Sequence, residues 1–181
     1  RGRETSAYLK YIITHYNELP ERIALIHGHD TSKHQSCPTL QALREGDPGK
    51  DFESLNRFCG VPWPGAVLYN QARMSFPLFF AREEWVKLLN VGPIVVCDLG
   101  AQFCVHRERI HRLPLAAWES FYDDIMLDPN DYSKCVVAEY MWHILMGENA
   151  AMWCALKHIR IDPGTVLYSP IIRCIPAVVV L

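Results

Sequence analysis

The chain has 181 residues, half of them apolar and 21% charged, with a formal net charge of −2 and a pI near 6.5. That mixture describes one soluble globular domain with a sizeable core, and it offers no positive field to hold a phosphate backbone, so a nucleic-acid partner is excluded as an expectation. Seven cysteines occur without a Cys-x-x-Cys pair, which argues against a zinc ribbon or a thioredoxin-type site.

In chain order, the first helix is expected from about Glu4 to Leu19. Leu9, Ile12, Ile13 and Tyr16 recur at helical spacing, Thr5 or Ser6 caps the start, and Pro20 ends it. Arg22 to His27 is a short apolar run with polar flanks, the pattern of a buried strand, and Gly28 lets the backbone turn after it. From His29 to Gly49 the chain is polar, apart from a short helical piece near Pro38 to Leu43, and Asp47-Pro48-Gly49 is a turn. Phe52 to Phe58 reads as a short helix. Cys59 to Gly65, rich in Pro and Gly, reads as an irregular loop over a binding site.

Ser75 is placed as the cap of a helix with Pro77 in its first turn and an apolar face of Phe79, Phe80, Trp85, Val86, Leu88 and Leu89, stopped by Gly92-Pro93. Ile94 to Cys97 and Ala101 to His106 are strand candidates. Pro114 opens a helix that ends near Met126. Ser133 caps another that runs to about Met146 and closes on Gly147. The apolar tail is broken by Pro170, Arg173 and Pro176, so no transmembrane span is expected in this chain. The predicted class is α/β: a small mixed sheet flanked by helices, one domain over 1–165, and a tail over 166–181 that is an edge strand or disordered. So few strands for so many helices predict at least one further strand ahead of Arg1. Cys97, Cys104 and Cys135 lie in apolar runs and read as core thiols, while Cys37 and Cys59, in loop-like segments, are candidates for pairing in an oxidising compartment.

Four groups of residues carry chemistry. His27, His29 and His34 cluster behind the first strand. Alternate side chains on a strand share a face, so His27 and His29 point together, toward a divalent metal completed by Asp30 or His34, toward a substrate or phosphate, or simply into solvent. Glu139 and His143 stand four apart on a helix that is apolar almost all round, so Glu139 needs a partner or a raised pKa. Such a carboxylate is a catalytic candidate or half of a structural pair with His143 or an Arg. Asp98 and Gln102 flank Gly100 and either position a substrate hydroxyl or make turn bonds. Arg3 and Glu4 sit at a helix start, where Glu4 suits the dipole and Arg3 can meet a phosphate. No Gly-rich phosphate loop and no Gly-x-Ser-x-Gly elbow occurs.

Several motifs recur in a specific order: Gly2-Arg3-Glu4 with Tyr8-Leu9 and Tyr11-Ile12-Ile13, Tyr16, Leu19-Pro20, His27-Gly28-His29 and His34, then Ala101-Gln102-Phe103 with Val105, Arg107-Glu108 and Ile110, and finally Glu139-Tyr140, Trp142-His143 and Gly147-Glu148. Over roughly residues 1 to 148 these resemble an uncharacterised domain family of fungi, algae and large viruses. Its layout is similar to nucleotide-sugar glycosyltransferases of the GT-A kind. The resemblance implies a GT-A-like domain lacking its N-terminal strand that transfers a sugar from a nucleotide donor to a carbohydrate or other hydroxyl acceptor. It implies Glu139 as general base or as the group orienting His143, Asp98 beside them, and Arg3, Glu4, His27, His29, His34 and Gln102 as binding residues. It also implies a Golgi or secretory lumen if the protein carries an anchor, and the cytoplasm otherwise. An Asp-x-Asp metal motif is absent, with His27-Gly28-His29 in its place, so a divalent metal on those histidines stays an open expectation. The alternatives are a metal-dependent hydrolase using His27 and His29, and a non-catalytic carbohydrate-binding module.

Overall fold

Alternation along Arg22–Leu25 dictates the layering. Ile23 and Leu25 face one side of this strand and Ala24 the other, and all three are buried, so both faces of the sheet are covered. The computed structural model describes residues 2–31, 37–56, 58–60, 65–82, 97–98, 100–129, 131–149 and 167–168, with side chains at all of them except 58–60, 65–66, 97–98 and 167–168.

The first helix, α1, is Arg3–His15, and its buried stripe is Thr5, Tyr8, Leu9 and Ile12. It ends one turn earlier than the apolar spacing suggested. The Tyr16 carbonyl bonds the His111 ring at 2.8 Å and the Tyr16 hydroxyl donates to the Leu113 carbonyl at 2.6 Å, so tertiary bonds take over from the helical ladder. Its start is not capped by Thr5 or Ser6. Gly2 occupies the cap with φ 77°, Thr5 turns into the core, and the Ser6 hydroxyl donates back to the Arg3 carbonyl.

Strand β1 (Arg22–Leu25) is followed by α2 (Thr39–Arg44), β2 (Phe52–Ser54) and β3 (Phe58–Gly60). Where a helix is expected over Phe52 to Phe58, Phe52–Ser54 is strand, Leu55 and Asn56 bend, and Phe58 begins the next strand. Phe52 and Leu55, which share a face at helical spacing, instead enter different cores, on opposite sides of the sheet. Next come α3 (Gly65–Ser75) and α4 (Pro77–Phe80), then β4 (Cys97–Asp98) and β5 (Phe103–His106). Regular structure at Phe58–Gly60 and from Gly65 narrows the expected loop over Cys59 to Gly65 to residues outside those described. The same applies to Trp85 to Leu89, to Gly92-Pro93 and to Ile94. Helices α5 (Arg107–His111), α6 (Leu115–Met126) and α7 (Asp131–Leu145) follow, then β6 (Leu167–Tyr168).

The fold is mixed α/β. The order of the main sheet is β1-β5-β2, and the small mixed sheet expected from the sequence is antiparallel in every described pair, with Leu25 opposite Phe103 and Phe52 opposite Val105. A second set of short strands has the order β4-β3-β6. One face of the main sheet carries Ile23, Leu25, Phe52, Phe103 and Val105 into a core shared with α1, α3, α6 and α7. The other packs Ala24, Leu55 and Cys104 against Ala42 and Leu43 of α2. Among the described residues no helix is long and apolar enough to cross a membrane.

The cap expected from Ser75 is supplied from a distance. Ser75 ends α3, and the Asp124 carboxylate accepts from the Leu78 N–H at 3.3 Å and the Phe79 N–H at 2.9 Å. We predict that Asp124→Ala costs about 1–2 kcal/mol, a fall in Tm of roughly 3–6 °C, while Asp124→Asn, which keeps one acceptor oxygen, loses about half of that. Thermal melts of the three proteins check this, and equal melting of Asp124→Ala and the parent refutes it.

Candidate active site

Three distant segments meet beside the edge of the main sheet. The first turns of α1 bring Arg3, Glu4 and Tyr8. The stretch after β1 brings His27, Gly28 and His29. The middle of α7 brings Glu139. Together they line a cleft of about 410 Å³. Strand β1 ends at Leu25, so His27 and His29 lie on irregular backbone beyond it, yet their rings still come together, 5.0 Å between centroids and steeply inclined. Gly28 is not needed for a turn: its φ is outside the left-handed region, and a Cβ there would meet nothing within 4 Å.

Buried polar groups beneath the cleft hold His27. The Gln102 side chain is fully buried. Its carbonyl oxygen accepts from the His27 main-chain N–H at 3.0 Å and from the Thr39 hydroxyl at 3.3 Å, and its NH2 donates to the Asn56 carbonyl oxygen at 3.1 Å. Gln102 was expected to touch substrate. With its amide used internally, it reaches the cleft only through the backbone of His27. Gly100, at φ 111°, has no room for a Cβ beside the Asn56 amide, 2.7 Å away, which explains glycine next to this network.

Glu139 faces α1. It is hydrogen-bonded to Glu4, and its pKa is pushed up to about 7, first by burial, then by the Glu4 charge and by the hydrogen bond to Glu4, against a smaller opposing effect of Arg3. Two carboxyls in contact cannot both be ionised cheaply, so Glu139 holds its proton up to near neutral pH. The partner expected for Glu139 was His143 or an arginine. His143 is 4% exposed and lines a separate gap of about 10 Å³ together with Glu139, Gln102 and Trp142, and among arginines the Arg3 charge acts on Glu139. The Arg3 guanidinium lies over the Tyr132 ring, 4.4 Å from its centroid, at the exposed end of α1.

Sequence reasoning missed Glu4 as the partner of Glu139, and missed Tyr8 as a cleft residue. The signal for both was there: Glu4 and Tyr8 are four apart on α1, hence on one face. Tyr8 is 1% exposed, its ring packs against Phe103 and Trp142, and its hydroxyl has no hydrogen-bond partner among the described residues. Burial raises its pKa, with the Glu4 and Glu139 charges adding to the effect, so the phenol stays neutral.

His34 lies outside the described residues. Asp98 is described only as backbone, paired with Cys59. The pairing of Cys37 with Cys59 and the burial of Cys97 rest on side chains that are not described. Burial pushes Cys104 up to about 12 and Cys135 up to about 11, so these core groups stay protonated and neither lines the cleft. For a divalent metal, His27 and His29 supply two imidazoles, but among the described residues no three His, Cys, Asp or Glu side chains converge as ligands. A family model for a protein of unknown function matches residues 1–45 and 68–159, more than half of the chain. No curated protein and no solved structure matches it.

Proposed function

The chain belongs to that family, DUF3431, whose function is unknown, and from this premise we propose that it is an enzyme acting on a hydroxyl group, with Glu139 as the general base of sugar transfer from a nucleotide donor. The observation that carries the reading is the Glu4–Glu139 pair, set in an open cleft with its proton poised near neutral pH. A carboxylate of ordinary pKa is too weak a base for an alcohol, whereas one near the working pH combines availability with driving force.

The acceptor oxygen bonds to the anomeric carbon, the bond from that carbon to the diphosphate oxygen breaks, and the acceptor proton passes to Glu139. The nucleoside diphosphate leaves with the electron pair. His27, His29 and Arg3 line the same cleft as Glu139, and the Arg3 cation with the imidazole N–H donors suits the departing negative charge. Every step is assigned to these side chains, and none to a metal.

The test is nucleotide release from a panel of uridine and guanosine diphosphate sugars, followed against pH. Base catalysis by Glu139 requires the rate to rise as pH passes through about 7. Replacing Glu4 by Gln removes the repelling charge and offers an amide donor to ionised Glu139, so the rise moves to lower pH by about one unit. A profile that does not move removes the pair from the mechanism. Stoichiometric zinc in the purified protein would favour hydrolysis instead, and no thermal response to any nucleotide sugar would favour a binding module.

A further inference from the structure

Several buried polar atoms have no partner among the described residues, including Thr5 Oγ1, the Tyr8 hydroxyl and Trp142 Nε1. Thr5 lies on the core side of α1, and Trp142 opens only onto the small inner gap. Tyr8 alone of the three lines the cleft, on the same helical face as Glu4 and across from Glu139. A buried hydroxyl left unbonded costs about 1–3 kcal/mol. Phenylalanine would fill the same space and keep the edge contacts to Phe103 and Trp142 without that cost. The ring is therefore explained by packing, and the oxygen is not.

We infer that Tyr8 is a further substrate-binding residue, whose hydroxyl donates a hydrogen bond to a hydroxyl adjacent to the one that gives its proton to Glu139, so that the site selects a vicinal diol. This rests on the proton-transfer reading above and adds the ligand class to it. Carboxyls at Glu4 and Glu139 accept from ligand hydroxyls, and the neutral phenol supplies the complementary donor. Neighbouring carbons of a carbohydrate ring carry such a pair of oxygens, one serving as donor to the acid pair and the next as acceptor from Tyr8. A lone alcohol satisfies only one of the two.

The experiment uses the whole chain as wild type, Tyr8→Phe and Glu139→Gln. Binding of the methyl glycosides of glucose, galactose and mannose, and of the monodeoxy derivatives of whichever binds, is measured by ligand-observed NMR, together with thermal melts. Tyr8→Phe should melt at or above the wild-type temperature, since it deletes an unbonded polar group, and should weaken the glycoside about tenfold. One monodeoxy derivative should lose about the same factor with wild type and nothing further with Tyr8→Phe. Unchanged affinity in Tyr8→Phe, or a melting point several degrees lower, overturns the assignment. If Tyr8→Phe binds normally while Glu139→Gln loses turnover in the nucleotide-release assay above, the base survives and only the diol contact falls. If wild type binds no glycoside, the sugar reading and the diol contact fall together.

Discussion

Glu139→Gln should abolish turnover and at the same time make the protein more stable above neutral pH. Loss of a positioned general base costs about 10²- to 10⁴-fold in rate. The stability effect follows from linkage. The Glu139 carboxyl is raised from 4.5 to about 7 in the folded protein, so its favourable contribution is complete below pH 4.5 and is lost as pH climbs through 7. Above that, the protein holds an ionised group beside Glu4 in a partly buried place. Gln keeps the shape and a donor toward Glu4, and it does not titrate. With the carboxyl open to the cleft on one side, we expect the variant to gain about 2 kcal/mol over wild type at pH 8 and little at pH 4.5. Urea titrations at the two pH values and a rate assay at pH 8 decide the matter. A variant that unfolds makes Glu139 a structural group, and one that turns over normally ends its role as base.

Gly2→Ala should be strongly destabilising although the position lines no part of the cleft. Gly2 sits at φ 77°, where a side chain costs about 1–2 kcal/mol. A Cβ there would also lie 2.2 Å from the Ser6 Cβ, which belongs to the first turn of α1 and cannot move without moving the helix. The main chain is pinned as well: the Gly2 N–H donates to the Asp131 carboxylate, and its carbonyl accepts from the Ser6 N–H at 2.9 Å and the Cys135 thiol at 3.2 Å. We expect a loss of about 3 kcal/mol, or roughly 6–12 °C in Tm. Because these bonds set α1 against α7, the rise of rate with pH should also shift downward as Glu4 draws away from Glu139. Gly28→Ala is the control. It meets open space and should change stability by less than about 1 kcal/mol. A Gly2→Ala protein as stable as that control would refute the argument.

Local grammar made much of the fold readable. Pro114 before Leu115–Met126, and Gly147 with its φ of 84° after α7, are end signals that act within a few residues, and those two ends lie where the signals put them; α7 starts at Asp131, though, so Ser133, expected as its cap, lies inside its first turn. The strand at Phe52–Ser54 was not readable, because three residues gain their form from pairing with Phe103–Val105 far along the chain. The same division holds for the site. His27, His29, Glu139, Arg3 and Glu4 could each be picked out by residue type and flanking pattern, and the structure gathers all five around one hollow. What the pattern left out was the carboxyl across from Glu139. His143, four residues on, is buried beside the same small gap, while Glu4 on α1 is hydrogen-bonded to Glu139. Gln102 looked like a ligand group and is a strut.

The bond from Gly2 to Asp131 joins residues 129 positions apart. Joining the α7 wall of the hollow to its α1 wall thus needs a long loop closure, which local hairpins and helix pairs do not supply. In native-state hydrogen exchange, the amides of the first turn of α1 and the N-terminal turn of α7 should open as a single cooperative unit. Recovery of ligand binding during refolding would then report the last event on the pathway, after the strand pairing around β5 is complete.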